Sequence, residues 1–162
     1  MRSVGICTVT APNLIHRDLG RFLEMHHCTS LTVHTNRQGL FEITPEILAW
    51  VDTTGVRDGL LTVFCRHTSA SLIIQENADP DVRRDLEAFF KRLVREDADL
   101  YSHVNEGADD MPAHIRSVLS DVSLSIPVID GRPALGTWQG VFLFEHRARD
   151  HDRHVVLQIL GA

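Results

Sequence analysis

The sequence predicts a single compact α+β domain with a mostly antiparallel sheet and two to three helices, and three observations carry that reading. Segments with strand and helix periodicity run in the order strand, helix, strands, helix, short helix, three strands, which is not the strict βαβα alternation of a parallel sheet. The dipeptide Asp130-Gly131 between two extended segments is a type I′ hairpin signal. Neither G-x-G-x-x-G nor G-x-x-x-x-G-K-S occurs, which sets aside a doubly wound nucleotide fold.

The elements follow in order. Ser30 to Asn36 alternates Leu31, Val33 and Thr35 against Thr32, His34 and Asn36, the pattern of a half-buried strand. Thr44-Pro45-Glu46 opens a helix, with Thr44 as N-cap and Pro45 in the first turn, and Gly55 closes it. The apolar run Leu60 to Cys65 reads as a central strand buried on both faces, with Ser69 to Gln75 as its neighbour or continuation.

Asp79-Pro80 opens the longest helix, to about Arg95, in which Val82, Leu86, Phe89, Phe90 and Leu93 recur at helical spacing. Asp110-Met111-Pro112 opens a short helix bearing Ile115, Val118 and Leu119 as its apolar side. Val122, Leu124, Ile126 and Val128 alternate in a further strand, which Pro127 assigns to a sheet edge or to the strand's own end. Gly140 to His146 and His154 to Leu160 complete the set, joined by a polar loop around Arg147 to Arg153 that reads as solvated, with a phosphate-binding patch as the other option.

Length and charge bound the function. At 162 residues and 43% hydrophobic content the chain supports one core, and no linker or repeat divides it. Residues 1–24 show little periodic order and read as an N-terminal extension of a domain spanning 25–162, with a helix through Leu19 to His27 as the other option. A net charge of -6 argues against general affinity for nucleic acid or an anionic membrane. No apolar run reaches the roughly 20 residues of a membrane helix, and the first residues lack the pattern of a signal peptide. Three scattered cysteines without a C-x-x-C exclude a disulfide framework, so the expected setting is the cytoplasm.

Ten histidines are the compositional excess, and they fall into constellations. His67-Thr68-Ser69-Ala70-Ser71 places hydroxyls beside an imidazole, suited to an oxyanion or a metal, or to an exposed strand face. His103 to His114 packs two histidines with Asn105, Glu106, Asp109 and Asp110 around a helix start. Those are the donor types of a divalent cation, although either aspartate could simply cap the helix. His114 is placed about two residues inside that helix, where the dipole disfavours its protonation.

Gly136-Thr137-Trp138-Gln139-Gly140 suggests close backbone approach with a ring and an amide aimed at a pocket, or else an ordinary bulged strand. Glu145 and His146 fall on opposite faces at the end of their strand, directed either into the core or at its solvated end. His16, His26, His27 and His34 read as surface or structural.

At HTSASL, QENADPDVRRDLEAFF, HVNEGADDMPAHI and GTWQGVFLFEHR the chain resembles the YjbQ (UPF0047-type) family, described as secondary thiamine-phosphate synthases, from about Met25 to Ala162. Where many relatives have N-E-N this chain has Gln75-Glu76-Asn77. The resemblance implies a homotrimer with a pocket near the subunit interface, a divalent metal ion (magnesium or zinc) and a small phosphorylated substrate. It implies the joining of a pyrimidine pyrophosphate to a thiazole phosphate with release of pyrophosphate. Carried to matching positions, His67, His103 and His114 hold the metal, and Asp109, Asp110 and Glu145 are the catalytic carboxylates. Thr68, Ser69, Ser71, Glu76, Asn77, Glu106, Thr137, Trp138, Gln139 and His146 contact substrate or phosphate. Two other classes stay open: a metal-dependent hydrolase using the same pocket, and a non-enzymatic trimer that binds a metal or an anion.

Overall fold

The structure is a computed structural model, described for residues 25–162; residues 1–24, expected to form an extension, lie outside the described residues. Eight strands and three α-helices follow one another as β1 (Met25–Thr35), β2 (Gly39–Glu42), α1 (Thr44–Thr54), β3 (Gly59–Cys65), β4 (Ala70–Glu76), α2 (Pro80–Leu93), α3 (Asp110–Val118), β5 (Ser123–Ile129), β6 (Arg132–Pro133), β7 (Gln139–Glu145) and β8 (His151–Gly161). Every strand pairing is antiparallel. The predicted class stands, but there are two sheets: A, in the order β1-β8-β3-β5-β6, and B, in the order β2-β7-β4.

Sheet B lies between sheet A and α2. Val141 and Leu143 of β7 join Leu61, Val63, Val155, Leu157 and Ile159 of sheet A and Ile47 and Val51 of α1 in the main core. The alternate β7 residues, Phe142 and Phe144, pack with Leu40, Leu86 and Phe90 under α2. Strand β7 is thus buried on both faces, which explains its unbroken apolar run. Burying a side chain such as Phe142 contributes about 1.5–3 kcal/mol.

The differences from expectation have physical causes. β1 begins at Met25, five residues early, because it pairs along its whole length with β8; this replaces the helical option at Met25 to His27. β3 is central in sheet A, yet only one of its faces is covered, and Leu60 and Phe64 stand 44% and 43% exposed. β4 belongs to sheet B, so it is neither partner nor continuation of β3. Thr44 starts α1, but its hydroxyl accepts the Val141 N–H at 2.9 Å and so ties the helix to β7 rather than capping it.

Helix α3 is turned over from its expected side. It buries Asp110, Pro112, Ala113, Arg116 and Ser117, while Val118 is 84% exposed. The short strand β2 was not legible in four residues, Gly-Leu-Phe-Glu. Asp130 and Gly131 do form the two-residue turn, with φ of 52° and 82°. β5 has only the two-residue β6 outside it, which accommodates Pro127. No helix of the described residues is long and apolar enough to cross a membrane.

Candidate metal centre

Three segments converge beyond the C-terminal end of β7: the turn after β3, the loop leading into α3, and the β7–β8 loop. The organising group is Arg147. Its Nε donates to Asp109 Oδ2 at 3.1 Å, its Nη1 to Asp110 Oδ1, and its Nη2 to the Glu106 carbonyl at 2.8 Å. Gly107, at φ of 118°, allows the loop to turn back at that point; a Cβ there would meet Asp109 Oδ1 at 3.0 Å. Asp109 also accepts the Ala148 N–H at 2.9 Å. Burial would raise the Asp109 pKa, but the bonds from Ala148 and Arg147 outweigh it and hold the carboxyl below its usual range.

With one oxygen of Asp110 fixed by Arg147, the other faces two imidazoles. Asp110 Oδ2 is 2.7 Å from His103 Nε2 and 3.7 Å from His114 Nε2, and one donor atom from each residue lies within 4.8 Å of the others. His114 Nδ1 donates to the Thr68 carbonyl at 3.1 Å, which fixes its proton there and leaves the Nε2 lone pair free. His114 is the fifth residue of α3 rather than the second or third, and that carbonyl sets its tautomer. Two imidazole nitrogens and one carboxylate suit a zinc-like ion better than magnesium, which prefers an all-oxygen shell. Asp110 is buried while His103 is exposed and His114 half-buried, so the cluster opens to solvent.

Beside His114 lies a cleft of about 700 Å³ whose walls include Phe64, Cys65, His67, Thr68, Val118 and Ser120. His67 is not brought to the cluster; Asp110 takes the place expected for it. Its Nε2 accepts the His154 N–H at 2.7 Å, and its ring stacks on His154 at 6.0 Å. Burial, then Arg153 and His154, lower its pKa.

Glu145 and His146, the expected catalytic and substrate-binding pair, are fully inside the protein. Glu145 accepts Arg153 at both oxygens (2.7 and 2.6 Å), Thr35 Oγ1 at 2.7 Å and the Arg147 N–H at 2.9 Å. Burial pushes its pKa up, but these four bonds prevail and lower it. With no exposed surface it joins β1, β7 and β8 and does not face the cleft. Ser71 is equally buried, bonded to His146 Nε2 at 2.8 Å. Ser69 Oγ accepts Arg153 Nη2 at 3.2 Å, and the exposed Glu106 contributes its backbone carbonyl to the Arg147 network.

The remaining expected residues lie elsewhere. Glu76 pairs with Gln139 at the opposite end of β4 and β7, six residues from the Ala70–Glu145 pair, or about 20 Å along extended strands. There Asn77 donates to Glu42 at 3.0 Å, and Gln139 Oε1 accepts the Gly136 N–H of its own turn at 2.8 Å. Thr137 and Trp138 are exposed. Sequence reasoning missed three arginines that are buried and ion-paired: Arg147 and Arg153, because a run of charges between strands reads as a solvated loop, and Arg116, because the buried side of α3 is polar. The signal that could have found Arg147 and Arg153 is their place flanking a loop that follows Glu145 on an otherwise apolar strand.

A two-sheet antiparallel α+β domain with a His/His/Asp cluster at the mouth of a cleft is the class of protein that fold and site define. The chain belongs to the UPF0047, YjbQ-like family, whose model matches residues 29–162. It is 56% identical over 135 residues to a UPF0047 protein of Synechocystis, covering 83% of this chain and 92% of that one. It is 44% identical over 138 residues to the UPF0047 protein YjbQ of Escherichia coli O157:H7, covering 85% and 99%. Among solved structures it is similar to a hypothetical protein of Aeropyrum pernix K1, with TM-score 0.77, 31% identity and coverage of 84% and 99%. A YjbQ/UPF0047-family protein of Clostridium acetobutylicum gives TM-score 0.71 at 37% identity, covering 82% and 98%.

Proposed function

We propose that this protein is a metal-dependent enzyme acting on a small phosphorylated substrate, in the form of a thiamine-phosphate synthase-like transferase. The observation that carries the reading is the convergence of His103, Asp110 and His114 donor atoms within 4.8 Å beside the cleft. In that reaction the bond between the pyrimidine methylene carbon and its pyrophosphate oxygen breaks, and the electron pair leaves with pyrophosphate. The thiazole nitrogen lone pair forms the new carbon–nitrogen bond, so little general-base work is asked of the protein. A divalent ion, when bound, supplies positive charge to the departing pyrophosphate. Thr68 holds His114 in the ligating tautomer and Arg147 holds Asp110. Phe64 and Val122 offer apolar walls for a ring, while Arg66 and Thr68 at the same cleft are suited to phosphate.

The test is pyrophosphate release by purified protein supplied with the pyrimidine pyrophosphate, the thiazole phosphate and zinc or magnesium. Turnover that falls at least 100-fold in His114→Ala supports the reading. Equal turnover by both proteins overturns it.

Hydrolysis of a phosphate ester is the second reading. It is favoured by the donor set itself, since three protein ligands leave coordination positions for water. Turnover of phosphate esters that EDTA abolishes, without synthesis, selects it. Substoichiometric metal in the purified protein, with stability unchanged in chelator, selects the non-enzymatic alternative.

We also infer the homotrimer. Two observations support it: the outer face of sheet A carries Leu60, Phe64 and Leu160 exposed, and the Trp138 end of β7 is too far to join the His114 cluster within one chain. Light scattering that gives three chains per particle is the expected result.

A further inference from the structure

His146 follows Glu145 in sequence but faces the other way, toward α3. It is 1% exposed, and Phe144 packs on its ring at 4.4 Å. From His146 Nε2 a chain of bonds runs to Ser71 Oγ (2.8 Å), on to Ser120 Oγ (2.8 Å), and ends at the Arg116 carbonyl (2.6 Å). The chain has one consistent direction. A carbonyl only accepts, so the Ser120 proton goes to Arg116, and the Ser71 proton must then go to Ser120. Ser71 has no proton left for the imidazole, so His146 Nε2 donates.

That leaves Nδ1 of His146 as a bare acceptor. It and Arg116 Nε, an obligate donor, are the two buried side-chain nitrogens without a protein partner among the described residues. Both residues line the same small cavity, of about 10 Å³, together with Gln38 and Glu145. That volume holds about one water molecule, which could accept from Arg116 and donate to His146. A protonated Nδ1 would instead aim a second donor at the Arg116 side of the cavity. Burial, and then the Arg116 charge, disfavour the imidazolium.

We propose that His146 is a positioning residue: as the neutral Nε2–H tautomer it drives the Ser71–Ser120–Arg116 chain that fixes the end of α3, and its Nδ1 shares one water with Arg116 Nε. Helix α3 carries Asp110 and His114, so the chain holds their backbone in place from the far end of the helix. This consequence for the metal centre rests on the reading above; the tautomer does not.

Two measurements test it. In the ¹⁵N spectrum of the full-length protein, His146 shows an unprotonated Nδ1 and a protonated Nε2; the reverse tautomer overturns the proposal. Zinc affinity is then titrated in His146→Gln, which keeps a donor near the Nε2 position, and in His146→Leu, which removes it, each first shown folded by circular dichroism. The glutamine variant stays within about 3-fold of the native protein and the leucine variant loses 10- to 100-fold. Equal affinities in these two variants, with binding weakened by His114→Ala, overturn the positioning role. Native affinity in His114→Ala overturns the metal-centre reading, while the tautomer is still decided by the spectrum.

Discussion

The two ends of β7 carry the residues most expected to act together, and they have opposite environments. At the C-terminal end, Glu145 and His146 are sealed in, each with hydrogen bonds to other segments of the fold. At the N-terminal end, Trp138 is 63% exposed and the Gln139 side chain accepts a bond from its own turn. The difference teaches that two motif strings six residues apart on one strand need not share a site. An extended strand separates them by about 20 Å.

Replacing Glu145 should give the largest effect. Glu145→Ala leaves the Arg153 guanidinium buried and unpaired, which costs about 3–5 kcal/mol in urea denaturation. Gln139→Ala, at the other end, should cost only a few tenths. Comparable losses at the two ends would break the contrast.

Much of this was legible in the sequence, and the failures share a cause. The antiparallel class, the Asp79 cap of α2, the Gly55 stop and the Asp130-Gly131 turn are local signals, and local chemistry decides them. The His103, Asp110 and His114 grouping was within reach because loop and helix start are contiguous. Exchanging His67 for Asp110 in the cluster was not, since it depends on which carbonyl His114 meets. The orientation of α3 was also missed. Its buried side is polar because Arg116 pairs with Glu96 and Ser117 bonds to the Ala70 carbonyl, so hydrophobic periodicity pointed to the wrong face.

Acid should probe the buried end next. His146 has its pKa pushed down to about 3 by burial and by Arg116, with Glu145 opposing and Arg153 reinforcing. In the unfolded chain it titrates near 6.5. Below that pH the unfolded state takes a proton that the native state refuses, so stability declines as pH falls. The loss from this group is about 2 kcal/mol by pH 5 and grows toward pH 3. His67, also lowered, acts in the same direction. The lowered carboxyls Glu145 and Asp109 add stability above the ordinary carboxylate range, and it is lost only as pH falls toward their native values. His146→Gln should flatten the pH 6.5 to 5 segment of the stability profile. An unchanged slope would sink the assignment to His146.

A smaller effect shows where the open end stops. A Cβ on Gly140 would come within 2.9 Å of Glu42 Oε1, 3.0 Å of Asn77 Cβ and 3.1 Å of the Phe142 ring. Gly140→Ala should cost about 1 kcal/mol, the low end for overpacking, because the Glu42 carboxylate can swing aside while Asn77 Cβ cannot. A neutral result in thermal unfolding would extend the loose region one residue deeper into β7.

The smallest effect should come from Trp138→Ala. A tryptophan is usually among the most costly residues to truncate, at about 3–5 kcal/mol in a core, so a near-zero result is informative. Here the ring is exposed, and the turn beneath it is held by Gln139 Oε1 and the Asn77 N–H bond to the Trp138 carbonyl, neither of which needs the side chain. Stability of the isolated chain should change by less than about 0.5 kcal/mol. If a second copy covers the ring, the loss appears instead as a shift in the concentration at which particles dissociate. Unfolding followed at several protein concentrations separates the two. A loss above 1.5 kcal/mol that ignores concentration would show that the chain itself packs this ring, and the two ends of β7 would then be alike.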